Sequence, residues 1–592
     1  MPTPAVALAI ASVASAAPLE PLPTPPLTAR FIVDTASRVP DNPKWKFSNF
    51  DVQSLAHLAR APVMQDDVVL IEAYLERINT NAPPPTLRTG LFADVAGQLH
   101  AVAVEGNPFP PDPTASYASI PAAVRQISEE GHIVFSARLV GDNVHDDNDT
   151  ALCRWQDGNL ELLVREGDTF LPNDPAIAGN IFVDVAFPGR ALGPQGHFAA
   201  SIRTTGPADP SEALVLFKTD GERQLLLSSG DPVPGAPGNV FERFYPYAID
   251  HQGDVLFWAT TTTGEVAGIT ANGSTRMLMS TSSPAPGVPG ATVADIRTLS
   301  FNIDGRVTVS VTLESADGSI TALNQHAAYA IDDAEPPELI LQGDTEVEGR
   351  PGAYVRFTSL PTVIDDSSYT VRTQLRGSDN SSVPVLVANG RPRLIATEDD
   401  TRPILGDVDV DLAGPVTVST AGDTAFYATY DRGGNAFFDR GTAVLLRPAG
   451  GDTLRSILKS GDRINIRSAQ PDSVADPYTI DQFYALLDGF PTASGALDNA
   501  KQFALRGMVT RLDVPPQLET PIETVLVVSY ADLACSPADL AHPRNVVDLD
   551  DIDAFINAVL VADPSVDFAS PFGVVDIDDV DAFITAFLAG CP

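Results

Sequence analysis

Residues 225–238 read LLLSSGDPVPGAPG. A short apolar run gives way at Ser228 to Gly, Asp and Pro. Gly reaches positive φ without a Cβ clash, Pro fixes φ and removes an N–H, and Asp bonds to its own backbone; the stretch therefore reads as a strand running into a compact turn. The pattern recurs. Positions equivalent to Gly230 fall at Ala36, Gly106, Gly167, Ser282, Gly343, Glu398 and Gly461, spaced 52 to 70 residues apart, which makes eight units with a period near sixty.

The order of signals inside a unit is also repeated. An apolar stretch such as FERFYPYAI (241–249) is followed by a tight turn and an alternating strand: EEGHIVFSARL around Gly131, PQGHFAASI around Gly196, HQGDVLFWAT around Gly253, IDGRVTVSVTL around Gly305 and TAGDTAFYATY around Gly422. A further strand ends in a two-residue hairpin signal, Asp157-Gly158, Asp220-Gly221, Asn272-Gly273 or Asn389-Gly390, with positive φ expected at both residues. Four strands per unit, repeated at this period, predict an all-β chain folded as a β-propeller of about eight four-stranded blades. Seven is the alternative, because the first unit (Phe31 to Gly97) and the last (Leu454 to Tyr530) are the most degenerate and combine readily to close a ring. A string of two or three β-sandwiches would require linkers, and none is evident between Phe31 and Tyr530. The repeat, closest to the motif at Gly230 and Ser282, resembles the GDxVPG tandem-repeat proteins of planctomycete-like bacteria, a secreted family with interchangeable C-terminal anchors and no implied activity.

Composition agrees with short strands and turns. The 592 residues include 51 prolines and 43 glycines, and 77 acidic against 37 basic side chains give a formal net charge of −40. That balance lacks the basic footprint of a nucleic-acid binder and favours solubility through self-repulsion. The first 16 residues read as an export signal, with an apolar run from Ala5 and an A-x-A site at Ala14-Ser15-Ala16, although no Lys or Arg precedes the run. Residues 17–30 are a proline-rich spacer, and the repeat body is assigned to 31–530. No other stretch reaches 18 apolar residues, so no membrane span is expected, and the chain is placed outside the cell or on its surface.

The C-terminal segment, 532–592, is a separate module. Residues 539–560 (DLAHPRNVVDLDDIDAFINAVL) and 567–588 (DFASPFGVVDIDDVDAFITAFL) align without gaps at a spacing of 28, with fourteen of twenty-two positions identical. Each copy is an acidic loop followed by an amphipathic helix. Ile552, Phe555, Ile556, Val559 and Leu560 fall at helical spacing, as do Val580, Phe583, Ile584, Phe587 and Leu588, so the two helices are expected to bury their Phe faces against each other. A calcium loop needs hard oxygen ligands at fixed positions. Asp539, Asp548 and Asp551, and Asp567, Asp576 and Asp579, fit the first, ninth and twelfth roles; the third and fifth are occupied by HPR and SPF, so calcium is a candidate ligand held weakly. The competing reading makes these acids helix caps and first-turn charges. Cys535 and Cys591 bracket the module, and a disulfide between them would close it, as suits an oxidising compartment. Duplication, cysteine pair and terminal Gly590-Cys591-Pro592 resemble the GC-type dockerin family, an EF-hand-like fold. The resemblance implies anchoring at the cell surface, by docking to a cohesin-like or cell-envelope partner.

The body offers no catalytic constellation. Its histidines show no metal-binding spacing, and no nucleophile elbow or phosphate-binding loop is present. His132 and His197 stand just after a turn glycine, where Asp254 and Asp423 stand in other units, and turn chemistry accounts for them. Cys153 reads as a small buried apolar residue. The loop GDNVHDDNDT (141–150) is the densest set of oxygen donors and an additional cation candidate. The aromatics Phe241, Phe244, Tyr245, Tyr247, Phe257 and Trp258 read as blade core. The leading expectation is therefore an exported, non-catalytic binding or scaffolding propeller. A polysaccharide hydrolase or lyase is the alternative, because an acidic propeller offers many carboxylate pairs.

Overall fold

The computed structural model describes most of residues 27–529 and, beyond them, positions 552, 555, 556, 559, 580, 583 and 584. The chain divides into two compact units, residues 27–531 and a second formed by 1–26 with 532–592.

The larger unit is almost entirely β, a propeller-like succession of small antiparallel sheets. In the fourth sheet, Phe241–Ile249, Val255–Thr261, Gly264–Ala271 and Ser274–Ser280 follow one another in chain order, each antiparallel to the next. The third (181–228), fifth (291–342) and sixth (354–394) sheets repeat this meander. The first, second and seventh keep three such strands but split the leading one. In the second sheet, Asp112–Ser119 pairs with one end of Ile133–Gly141 and Arg125–Ile127 with the other.

The eighth sheet is closed on itself and joins the two ends of the body. Leu27–Asp34 lies parallel to Arg463–Arg467 and antiparallel to Ile522–Ser529, with Asp476–Ala485 and Gln502–Arg511 completing the circuit. The N-terminal strand thus joins the last unit, while the rest of the first unit forms a sheet of its own. The first strand starts at Leu27, four residues before the expected start of the body at Phe31, and takes in the end of the assigned spacer.

Apolar seams lie between successive sheets. Phe135, Cys153 and Trp155 of the second sheet pack with Leu70, Leu91 and Ala93 of the first; Val134, Leu152 and Val164 pack with Phe182, Phe198 and Phe217 of the third. Ile32 of the N-terminal strand enters the core of the first sheet beside Val39, Phe47 and Val69. A central sheet is therefore covered on both faces: Ile133–Ala137, in a strand expected to alternate, is buried without interruption, as is Glu212–Phe217.

Local geometry repeats as closely as the sheets do. The turns at Gly131, Gly196, Gly221 and Gly253 share one form: the glycine N–H donates to the carbonyl three residues back, and that residue's N–H donates to the carbonyl after the glycine. These are three-residue hairpin loops, with the glycine at φ 77 to 86°. Asp220-Gly221 thus belongs to a three-residue loop, not the expected two-residue one, whereas Asp157 (φ 48°) and Gly158 (φ 84°) both take the positive φ expected of them. A bulge falls between the third and fourth strands in six of the seven open sheets, for example at Leu152/Cys153, Leu214/Val215 and Ala267/Gly268.

In the C-terminal unit the described positions 552, 555, 556, 559, 580, 583 and 584 are helical. Phe555 and Phe583 are buried and stack with centroids 4.0 Å apart and planes 7° apart, the meeting of Phe faces that the duplication predicts. Ile556 and Ile584, assigned to the same apolar faces, are instead 49% and 48% exposed. The candidate calcium ligands Asp539, Asp548, Asp551, Asp567, Asp576 and Asp579, the pair Cys535 and Cys591, and the export signal lie outside the described residues.

Candidate functional site

The Gly-Asp turns join one sheet to the next. Gly230, at φ 92°, donates its N–H to Phe241 O at the head of the following sheet, and Phe241 N–H returns to Asp231 O. The Asp231 carboxylate caps the turn by accepting the Ser228 N–H at 2.7 Å, and Asp168 does the same for Arg165 at 3.0 Å. Gly106, Gly167 and Ser282 hold the equivalent places, as expected. In the next copy the place belongs to Asp344 (φ 67°), which donates to Val355 O, and not to Gly343. Asp tolerates the left-handed region well enough to replace glycine there. The equivalents at Ala36, Glu398 and Gly461 lie outside the described residues.

His132 and His197 belong to the seams. The His132 ring lies so close against Gly196 of the next sheet that a Cβ on Gly196 would overlap it, and His197 approaches Gly253 of the sheet after that. His197 Nδ1 also accepts the Thr219 N–H at 3.2 Å. Between them Arg154, 3% exposed, donates to Glu161 Oε2 at 2.9 and 2.6 Å, to Gly196 O at 3.2 Å and to Lys218 O at 2.9 Å. Burial first, and then the Arg154 charge, hold both imidazoles below their ordinary pKa. As pH falls below about 6.5 the unfolded chain takes up these protons before the folded one does, so stability is lost on acidification. The variant H132Q is therefore expected to melt with a shallower pH dependence than wild type between pH 7 and 5; parallel melting curves would remove His132 from this account.

Loop 141–150 is organised around an asparagine. Asn148 Oδ1 accepts the His145 N–H at 2.7 Å, Asn148 Nδ2 donates to Asn143 O at 3.1 Å, and Asp149 pairs with Arg138 at 3.0 Å. The fifth sheet repeats the device: Asn324 accepts the Thr321 N–H at 2.7 Å and donates to Ser319 O at 3.1 Å. The HDDN and TALN spacing carries this repeat in the sequence. Among the described residues, no three His, Cys, Asp or Glu side chains are grouped so that they could hold a metal ion.

The aromatic set divides. Phe241, Phe244 and Phe257 are fully buried and touch one another with centroids 5.4 to 6.4 Å apart. Tyr245 and Trp258 stack at 4.4 Å but stay partly open to solvent. Nearby, Glu265 crosses from the fourth sheet to the fifth, where its Oε2 accepts the Ile296 N–H at 3.2 Å beside Asp295. Asp295 in turn pairs with Arg297 at 2.6 Å. Sequence reading missed the Glu265–Ile296 contact, which joins residues 31 apart. Cys153 is buried as expected, and burial raises its thiol pKa.

Comparison with solved structures finds likeness at low identity. A puromycin-hydrolyzing peptidase of Mycobacterium tuberculosis is 11% identical with a TM-score of 0.32, and the match covers 72% of this chain and 57% of that one. A post-proline cleaving enzyme from Rickettsia typhi is 8% identical, TM-score 0.32, covering 77% and 58%. An ulvan lyase, a polysaccharide lyase, is 10% identical, TM-score 0.28, covering 85% and 95%. The chain spans a little over half the length of the two peptidases. No curated protein matches the sequence. A family profile, however, matches residues 72–510, most of the repeat body, and by that match the chain belongs to the family of unknown function DUF7453.

Proposed function

We propose that the chain is an exported, surface-anchored propeller of eight blades, seven open sheets and one closed by the N-terminal strand, that binds or scaffolds and does not catalyse. One observation carries the reading: among the described residues, His132, His197, Arg154, Asp168 and Asp231, polar side chains of types that catalysis uses, are engaged in turns and in seams between sheets. The C-terminal module is its dockerin-like anchor, with the six aspartates named above as candidate calcium ligands, and Cys535 and Cys591 as its clamp. A cohesin-like or cell-envelope protein is the proposed anchoring partner, and a polysaccharide the proposed ligand of the body.

A second reading, polysaccharide cleavage, draws on the half-exposed Tyr245–Trp258 pair near two carboxyls. Against it, glycosidase carboxyl pairs stand about 5 to 9.5 Å apart to admit the sugar, whereas the Glu265 carboxylate is turned to the neighbouring sheet, where it accepts the Ile296 N–H at 3.2 Å.

Two measurements on the full chain test the proposal. With soluble acidic and neutral polysaccharides, affinity electrophoresis is expected to show retardation without release of reducing ends or unsaturated uronides; turnover would replace the first reading by the second. Cell fractionation is expected to find the full chain with the envelope and a chain ending at residue 531 in the medium, and equal partition of the two would reject the anchor.

A further inference from the structure

Five residues after the hairpin glycine, the second, third and fifth sheets carry Ser136, Ser201 and Ser310, all buried. A small hydroxyl there lets neighbouring strands and sheets close. Ser201 donates to Glu212 at 2.7 Å, and the same carboxylate accepts the Phe244 N–H of the next sheet at 2.9 Å; Ser310 shares a hydrogen bond of 2.7 Å with Thr298. The fourth sheet has Trp258 in that place, opposite Tyr245 of its leading strand, and the two rings stack at 4.4 Å. The two faces of this sheet therefore differ. Phe244 and Phe257, on the face turned to the third sheet, are fully buried. The other face packs on the fifth sheet through Ala267 and Met279, yet stays open at its leading-strand edge, where Arg243 is exposed and Tyr245, Trp258 and Thr260 are partly exposed.

Strand register sets two rows side by side on that open face. Tyr245, Trp258 and Ala267 oppose one another across three strands, and Arg243, Thr260 and Glu265 form the next row, about 7 Å along. The first row is flat and apolar. The second holds a guanidinium, a hydroxyl and a carboxylate, the last fixed by the Ile296 N–H of the fifth sheet at 3.2 Å. A pyranose has the matching chemistry, with a C–H face that packs on aromatic rings and hydroxyls at its rim that both donate and accept. We propose that this edge of the fourth sheet is a glycan-binding subsite for a neutral pyranose chain, with Tyr245 and Trp258 as platform and Arg243, Thr260 and Glu265 meeting the hydroxyls. The assignment rests on the binding role proposed above and gives it a place and a sugar class. Charge decides the class. Glu265 stands in the row, Arg297 on the bordering strand is already paired with Asp295 at 2.6 Å, and a chain of net charge −40 repels a polyanion.

The test is affinity electrophoresis of the full chain in gels holding hydroxyethylcellulose, laminarin or galactomannan, which are neutral, or alginate or polygalacturonate, which are acidic. At least one neutral polymer is expected to retard the chain, and the variants Y245S and R243A are expected to weaken that binding about tenfold. Melting midpoints control for folding; Arg243 is exposed, so R243A tests the site even where Y245S melts early. The retarding polymer should also change tryptophan emission, and W258F should remove that change. Retardation by a neutral polymer that neither Y245S nor R243A weakens would overturn the site and leave a binding body standing. Retardation by the acidic polymers alone would overturn the sugar class. No retardation by any of them would reject both the site and the binding role on which it rests.

Discussion

Replacing Gly196 by alanine is expected to cost about 3 to 5 kcal/mol of stability, one of the largest single-site effects in the body. Two terms add. The backbone stands at φ 79°, where any Cβ is strained by about 1 to 2 kcal/mol. The new methyl would also overlap the His132 ring, and that residue is only 7% exposed, so the ring has little room to yield. Gly230 separates the terms, because its φ is 92° but no atom lies within 4 Å of where its Cβ would be. G230A should thus cost only about 1 kcal/mol. Urea unfolding of G196A, G230A, H132A and the double variant H132A/G196A provides the check. The double variant is expected to be less unstable than the sum of its parts, because removing the ring removes the clash. Additive losses would mean that the seam does not depend on this contact.

This pair of glycines also shows what the sequence could disclose. A hairpin that places a residue in the left-handed region demands glycine with few substitutes, so the turns at Gly131, Gly196 and Gly253 were visible by eye, as were the repeat and its β class. The same logic failed where a substitute was tolerated: Gly343-Asp344 matches the Gly-Asp pattern, yet Asp344 carries the positive φ. What faces each turn was invisible. His132 meets Gly196, 64 residues on, because a blade packs against its neighbour, and no local period records that contact.

Seam chemistry was hidden for a similar reason. Arg154 serves Glu161 within its own sheet but Gly196 and Lys218 in the next, so its role depends on how two repeats stack and not on any motif. Glu265 and Ile296 belong to different units and become bonded only when those units meet. Uniform burial of the central strands likewise follows from neighbours on both faces, which an alternating pattern read along one strand does not report. In the C-terminal module the repeat placed Phe555 against Phe583 correctly, but helical spacing alone put Ile556 and Ile584 on the buried face, where they do not lie.

Deletion of residues 27–34 is expected to abolish cooperative folding of the body, a loss on the order of the 5 to 15 kcal/mol that stabilises a typical domain. The strand pairs on both sides, with Arg463–Arg467 and with Ile522–Ser529, so its removal opens two sheet edges at once. It also withdraws Ile32 from the core it shares with Val39, Phe47 and Val69, leaving the first sheet uncovered where the ring closes. The segment matched by the family, 72–510, omits this strand and also Ile522–Ser529. A fragment with those limits should fail in the same way, although it contains most of the repeats. Thermal melting by circular dichroism and limited proteolysis of the full chain, the deletion and the fragment make the comparison. Adding the peptide LTARFIVD to the deletion in trans should restore part of the transition, since an extended strand can pair with an open edge. If the deletion melts at the midpoint of the full chain, the ring is closed by something other than this strand.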